Sequence, residues 1–166
     1  EMRVFDVAEG RAPLLKMVVD SFPEGVNGFA RQPRLDDPET PEDESLETAW
    51  YWLVSRYSAR LYPFLMSAES RHSGEGPAVS TVPSIAVSSN NPGSDNRSLA
   101  FSPDGSRAFV SNREPATVVV LDTTLRGDGS VDGTTLATID IGSGPSRLVV
   151  QPLAGGGYVV LVVCFD

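Results

Sequence analysis

Short apolar runs alternate with polar turn residues along the whole chain. Runs rich in β-branched residues and bounded by Gly, Pro, Asn or Asp recur throughout, whereas few stretches show the i, i+3, i+4, i+7 apolar spacing of a helix. The pattern therefore predicts an all-β fold. The predicted strands cover residues 2–7, 15–21, 26–31, 49–55, 60–66, 80–87, 98–102, 107–111, 117–122, 135–141, 147–151 and 158–165.

An internal repeat organises these strands. Its clearest copy covers residues 98–142, where four strands follow one another through polar turns such as Pro103-Asp-Gly105. Equivalent second-strand positions, Arg56, Asn112 and Phe165, follow at intervals of 56 and 53 residues. The repeat predicts a partial β-propeller of four-stranded antiparallel blades, with about three blades in this chain.

The repeat divides the chain into four units. Residues 1–26 are predicted to be the closing strands of one blade, 27–96 a blade with an acidic insertion at 34–47, 97–144 the blade with the clearest repeat motif, and 145–166 the opening strands of a further blade. The insertion holds seven acidic residues and is expected to form an exposed excursion between two strands. Because so few blades do not close a ring, we expect additional chain or another subunit to cover the end faces.

The second strands carry a recognisable motif, seen most clearly as Phe109-Val-Ser-Asn112 and more weakly as Leu53-Val-Ser-Arg56 and Val162-Val-Cys-Phe165. It resembles the YVTN-type β-propeller repeats of bacterial surface and periplasmic proteins, which are related to the lactonase-like propellers. The sequence departs from that pattern at Leu65, where a strand-ending Asp is expected, and at Pro63, which is predicted to interrupt its strand.

The resemblance implies a fragment of a larger bacterial protein located in the periplasm, on the cell surface or outside the cell. It implies a non-enzymatic scaffold for protein interaction. The alternative is a portion of a propeller enzyme or periplasmic redox subunit, lactonase-like or dehydrogenase-like, with its site at the central channel. No cluster of acids, His or Arg converging on that channel is predicted, and the single histidine, His72, lies in a polar loop, so the sequence favours the scaffold.

Charge and hydropathy limit the classes of partner that the sequence predicts. The formal charge is -9, with 22 acidic and 13 basic residues, which argues against nucleic acid. No apolar run is long enough to cross a membrane. The expected partner is a protein or the remaining part of the propeller.

An aromatic hairpin beside the acidic insertion is the predicted partner-binding site, and alternation places Trp50 and Trp52 on one face of their strand. The alternative is that these aromatic residues pack between blades. The residues predicted to contact a partner are Trp50, Trp52, Tyr57, Asp43 and Glu44.

A calcium loop is suggested by Asp128, Ser130 and Asp132, which are followed by Gly133. The position that needs a bidentate Glu is Ile139, so a plain polar loop is the alternative, and no other cofactor is predicted. The single cysteine, Cys164, lies in a Val-rich run and is predicted to be shielded and slow to react.

Overall fold

The computed structural model describes residues 2–6, 12, 14–19, 23–33, 48–67, 78–87, 95–126 and 130–165. All regular elements in this part of the chain are strands, which confirms the all-β prediction. They are β1 Met2–Asp6, β2 Leu14–Val19, β3 Val26–Arg31, β4 Thr48–Ser55, β5 Arg60–Ser67, β6 Ala78–Thr81, β7 Ile85–Ala86, β8 Asn96–Phe101, β9 Arg107–Asn112, β10 Thr117–Asp122, β11 Thr135–Asp140, β12 Pro145–Pro152 and β13 Tyr158–Cys164.

The strands form antiparallel sheets in which neighbours in sequence pair with each other. The first large sheet has the order β3-β4-β5-β6, with β7 also paired to β5. The middle sheet has the order β8-β9-β10-β11. The pairs β1-β2 and β12-β13 form two smaller sheets. The boundaries of the four predicted units stay a prediction.

Pro63 does not interrupt its own strand, contrary to expectation. β5 runs through it, and Pro63 lies opposite Trp52 of β4. Its carbonyl faces the other side, where it accepts from the Val82 N–H at 3.5 Å. Because N–H and C=O of a strand residue point the same way, the missing N–H faces the interval between β6 and β7. The break therefore appears in the neighbouring strand, and the predicted strand 80–87 is divided in two.

One apolar core lies between the first large sheet and the middle sheet. Trp52 is fully buried there, with its ring edge-on to Phe101 at a centroid distance of 5.7 Å. The middle sheet contributes alternate residues of its strands, among them Val110 and Val119. Alternation along strands thus directs one face of the middle sheet to its predecessor.

A second core lies between the middle sheet and β12-β13. The intervening residues Phe109, Val118 and Val120 pack there with Leu148 of β12. Strands β9 and β10 of the middle sheet are therefore buried on both faces, which explains why β10 reads as the continuous apolar run Val-Val-Val-Leu.

Contacts between sheets concentrate at their first and second strands. β8 contacts β3 and β4 on one side and β12 on the other, and β12 also contacts β9. The outermost strand of the middle sheet, β11, is exposed along its whole length. The three sheets thus meet along β3, β8 and β12.

Cys164 is exposed, so the prediction that it is shielded is wrong. It lies at the end of β13, in a sheet of two strands. The face of β12-β13 that turns away from the middle sheet exposes Val149, Leu161 and Val163. An apolar strand sequence gives burial only where another layer covers it.

The acidic segment 34–47 lies outside the described residues, as does His72. The strands that flank this segment, β3 and β4, are paired neighbours in one sheet. Within the described ranges no helix has the length and apolar character needed to cross a membrane.

Candidate functional site: a cleft along the first strands

A cleft of about 560 Å³ opens where the first strands of the three sheets meet. Each of β3, β8 and β12 contributes consecutive residues near its beginning. The cleft is lined by Asn27, Gly28, Phe29, Arg97, Ser98, Leu99, Ser146, Arg147, Leu148 and Val149. We call this feature the first-strand cleft.

The wall between β3 and β8 depends on a glycine. A Cβ atom at Gly28 would lie 2.5 Å from Val54 Cγ2 and 3.3 Å from the backbone nitrogen of Leu99. Such distances leave no room for a side chain, so Gly28 permits the close approach of β3 to β8. The Asn27 side-chain amide donates to the Asn96 carbonyl at 3.3 Å and links the same two strands.

A serine on β8 links this strand to β12 at the other wall of the cleft. The backbone N–H of Leu148 donates to Ser98 Oγ at 3.3 Å. Since Ser98 Oγ accepts this bond, its own hydrogen remains able to donate. The same contact therefore joins two sheets and leaves a donor at the cleft.

Arg97 is the more enclosed of the two cleft cations, with a side chain that is 21% exposed. One of its terminal nitrogens donates to Asp95 Oδ2 in a close ion pair. Its Nε is buried and has no hydrogen-bond partner. Arg56 Nε lies 3.8 Å from the other oxygen of Asp95, so this carboxylate is shared between two guanidinium groups.

Arg147 is exposed, and its guanidinium makes no hydrogen bond or ion pair with the described residues. The Ser146 hydroxyl beside it is similarly unengaged within the described ranges. None of the ten lining residues is acidic. In a chain with a formal charge of -9, the cleft is therefore a local region of positive charge and hydrogen-bond donors.

Arg97 and Arg147 line the cleft, and neither was among the site residues predicted from the sequence. They occupy adjacent, not identical, positions of the repeat: Arg97 stands six residues before Pro103, and Arg147 stands five before Pro152. When the copies of the repeat are aligned on these prolines, each first strand begins with polar residues. That alignment is the signal in the sequence that marks these cleft residues.

The predicted partner-binding residues that the structure describes, Trp50, Trp52 and Tyr57, are not among the residues that line the cleft. Trp52 is buried between sheets, and its Nε1 donates to Gln32 Oε1 at 3.0 Å, which is the packing role left open by the sequence. Trp50 is half-buried, and Tyr51 stacks on Phe29 across the opposite face, as alternation predicts.

Tyr57 lies in the turn after β4 and is 65% exposed. The Arg56 guanidinium lies 5.2 Å from the centre of its ring. Asp43 and Glu44 lie outside the described residues, so the proposed pairing of the hairpin with the acidic insertion stays a prediction.

The structure describes two of the three predicted calcium ligands, Ser130 and Asp132. Asp132 accepts from Arg126 Nη2 at 2.9 Å and from the Thr134 hydroxyl. The Thr134 hydrogen bond, followed by Arg126, lowers the pKa of Asp132 below its ordinary value. Ser130 lies on the same short hairpin, Asp128 lies outside the described residues, and the described part of the chain gathers no group of three or more possible metal ligands.

The fold defines a class of all-β proteins with successive antiparallel sheets that meet along their first strands. No protein-family model matches this sequence, and no curated protein does. Among solved structures, the chain is similar to a protein from Bacteroides uniformis described as a putative 6-phosphogluconolactonase. The TM-score is 0.67 at 14% sequence identity, and the match covers 98% of this chain and 40% of that one. At this identity the likeness concerns the fold.

Proposed function

We propose that this chain is a section of a β-propeller and that the first-strand cleft binds a small polar molecule. Successive sheets repeat one strand order, and the same face of each packs on the sheet before it. In propellers the sheets are arranged around a central channel. The meeting of β3, β8 and β12 is the arrangement expected beside such a channel.

The observation that carries the binding function is the convergence of side chains from three sheets on one cleft. Ligand pockets commonly occupy roughly 300 to 1,000 Å³ and combine apolar walls with a few placed polar groups. Here Phe29, Leu99 and Leu148 supply apolar surface beside the arginines and serines. The lining offers binding groups but, in the described residues, no carboxylate or imidazole to act as a base.

Ligand-observed NMR with a panel of sugars, sugar acids and small carboxylates tests this proposal. Ser146→Trp should fill the cleft and abolish the saturation-transfer signal of any binder. Thr138→Trp, on the exposed strand β11, is the matched control and should leave it unchanged. No binder in the panel, or binding that survives Ser146→Trp, would overturn the ligand-site proposal.

Lactone hydrolysis is a second candidate, favoured by the structural neighbour described as a 6-phosphogluconolactonase. Under this hypothesis the first-strand cleft would hold the substrate, and a general base would come from outside the ten lining residues. Proton release from 6-phosphogluconolactone above the spontaneous rate, and its loss in Ser146→Trp, would support hydrolysis. An unchanged spontaneous rate would exclude this substrate.

Protein contact at a cell surface or in the periplasm is a third candidate, favoured by exposed Tyr57 with Arg56 against its ring. Tyr and Arg are enriched among residues that dominate interface energies. A photo-crosslinking amino acid at position 57, in the producing cells, should give a protein adduct that one at position 138 does not. Fractionation of the same cells tests the location, and equal labelling at both positions would contradict a specific contact.

A further inference from the structure

We infer that the ligand of the first-strand cleft carries an oxyanion, a carboxylate or a phosphate, and that Arg147 is its principal contact. This inference rests on the proposed binding function and adds the chemical class of the ligand. It follows from the balance of donors, acceptors and charge around the cleft.

The polar groups of the cleft that remain available are mostly donors. Arg147 offers its whole guanidinium, and Ser98 and Ser146 offer hydroxyl hydrogens. A ligand that satisfies them must present several acceptor oxygens in a small volume. Carboxylate and phosphate groups do this, and a guanidinium binds them through paired, charge-assisted hydrogen bonds.

Arg97 and Arg147 differ in what they contribute to ligand binding, because Asp95 pairs only with Arg97. The Asp95 carboxylate pairs with Arg97 and partly offsets its charge, while it holds the side chain in place. Arg147 has no such counter-ion within the described residues. An incoming anion therefore gains most from Arg147, and Arg97 adds positive charge from a side chain that Asp95 holds in place.

Charge also favours an anion over a neutral ligand in the cleft. Neutral hydroxyl groups can accept hydrogen bonds from Arg147, Ser98 and Ser146 but do not compensate the charge of Arg147. Charge thus distinguishes the expected ligand from a neutral sugar of the same size.

Isothermal titration calorimetry with glucuronate, glucose 6-phosphate and glucose tests the inference on the full chain. These probes share a carbon skeleton and differ in the anionic group, so the first two arms separate carboxylate from phosphate. At least one acid should bind about tenfold more tightly than glucose, a factor of ten being the ordinary gain from one charge-assisted hydrogen bond. Raising the salt concentration should narrow this difference.

Arg147→Ala should weaken binding of the preferred acid about tenfold or more, and Arg147→Lys should restore part of it. Arg113→Ala, at an exposed turn residue outside the cleft lining, is the control and should bind as the unaltered protein does. Thermal melts of each variant check folding, and the exposure of Arg147 makes an intact fold the expected result.

The outcomes separate this inference from the function on which it rests. Glucose binding as tightly as both acids, with no effect of Arg147→Ala but loss in Ser146→Trp, would refute the oxyanion and keep the ligand site. Acid binding that is equally weakened by Arg113→Ala would show general charge attraction and would also refute it. Failure of every probe, together with an empty NMR panel, would overturn both proposals.

Discussion

Gln32 joins the first large sheet to the middle sheet at the end opposite the entry of β8. Its Nε2 donates to the carbonyls of Gly105 and Thr123 at 2.7 and 2.9 Å, and its Oε1 accepts from Trp52 Nε1. All these groups are in a buried environment, so one amide satisfies three polar partners that water does not reach. A Cβ at Gly105 would lie 2.2 Å from the Pro33 carbonyl oxygen, which shows how closely the two chain segments approach.

Replacement of Gln32 by leucine should therefore destabilise the protein strongly. Gln32→Leu leaves two carbonyls and an indole N–H with fewer partners, and we expect a loss of about 3 kcal/mol. Gln151→Leu is the matched control, because Gln151 occupies the equivalent repeat position but is exposed, and among the described residues its side chain bonds only to the Pro152 carbonyl. Urea unfolding measures both, and equal losses would contradict a bridging role for Gln32.

Asp104 fixes the turn between β8 and β9 through its carboxylate. Oδ1 accepts from the Ser102 hydroxyl at 2.5 Å and from the Ser106 N–H at 3.1 Å, and Oδ2 accepts from the Ser106 hydroxyl at 2.9 Å. The Ser102 hydrogen bond is the largest cause that holds the pKa of Asp104 below its ordinary value. Ionised Asp104 is thus favoured by the folded state.

This lowered pKa predicts how the contribution of Asp104 depends on pH. A depressed folded-state pKa gives stability that is present above the unfolded-state pKa and lost as pH falls through the folded-state pKa. Because Asp104 is exposed and water screens its charge, Asp104→Asn should cost at most about 1 kcal/mol at pH 7, and the difference from the unaltered protein should shrink in acid. Denaturant unfolding from pH 7 to pH 2 measures it, with Asp140→Asn on exposed β11 as control; a cost that does not change with pH would disprove the charge argument.

At the scale of elements, strands and turns were the features most accessible from the sequence. Alternation and turn chemistry act over a few residues, so the hairpin at Pro103-Asp-Gly105 and the strand pairing around it could be predicted. The break opposite Pro63 was misplaced by one strand because the sequence does not say which side of β5 the missing N–H faces.

Features that depend on neighbouring sheets were less accessible. Alternation puts Trp50 and Trp52 on one face, but only the packing of Phe101 against Trp52 distinguishes a core residue from a half-buried one. The first-strand cleft joins residues about 50 to 120 positions apart in sequence, such as Asn27 and Arg147, and no local pattern reports that meeting.

The position of Cys164 at the end of β13 predicts a reactive thiol, whereas the sequence pattern predicts a shielded one. Because Cys164 is exposed at its end, its thiol should be titrated by a disulfide reagent in the native protein nearly as fast as in the unfolded protein. Val162→Cys is the internal comparison in a Cys164→Ser background, because Val162 packs into the second core. A Cys164 reaction that needs unfolding would contradict the exposed position.

For the molecule as a whole, the stacking of sheets determines which surfaces are buried. Strands β9 and β10 of the middle sheet bury both faces because the sheet has a neighbour on each side, and they show what covered strands contain. The face of β12-β13 that turns away from the middle sheet has similar apolar residues without a neighbour among the described residues: Val149, Val159, Leu161 and Val163. We call it the outer face of β12-β13.

We expect the outer face of β12-β13 to drive association of the 166-residue polypeptide. Its four side chains are between 39% and 54% exposed, and Val149 pairs directly with Leu161, so they form a contiguous apolar patch of a kind that soluble monomers seldom leave uncovered.

Leu161→Lys should raise the concentration at which oligomers form by about tenfold, as expected from a loss of roughly 1.4 kcal/mol per contact. Leu136→Lys is the control, because Leu136 is similarly exposed but lies on β11, outside the outer face of β12-β13. Sedimentation velocity over a range of concentrations measures the effect, and a monodisperse monomer of the unaltered chain throughout that range would show that this surface does not need a partner.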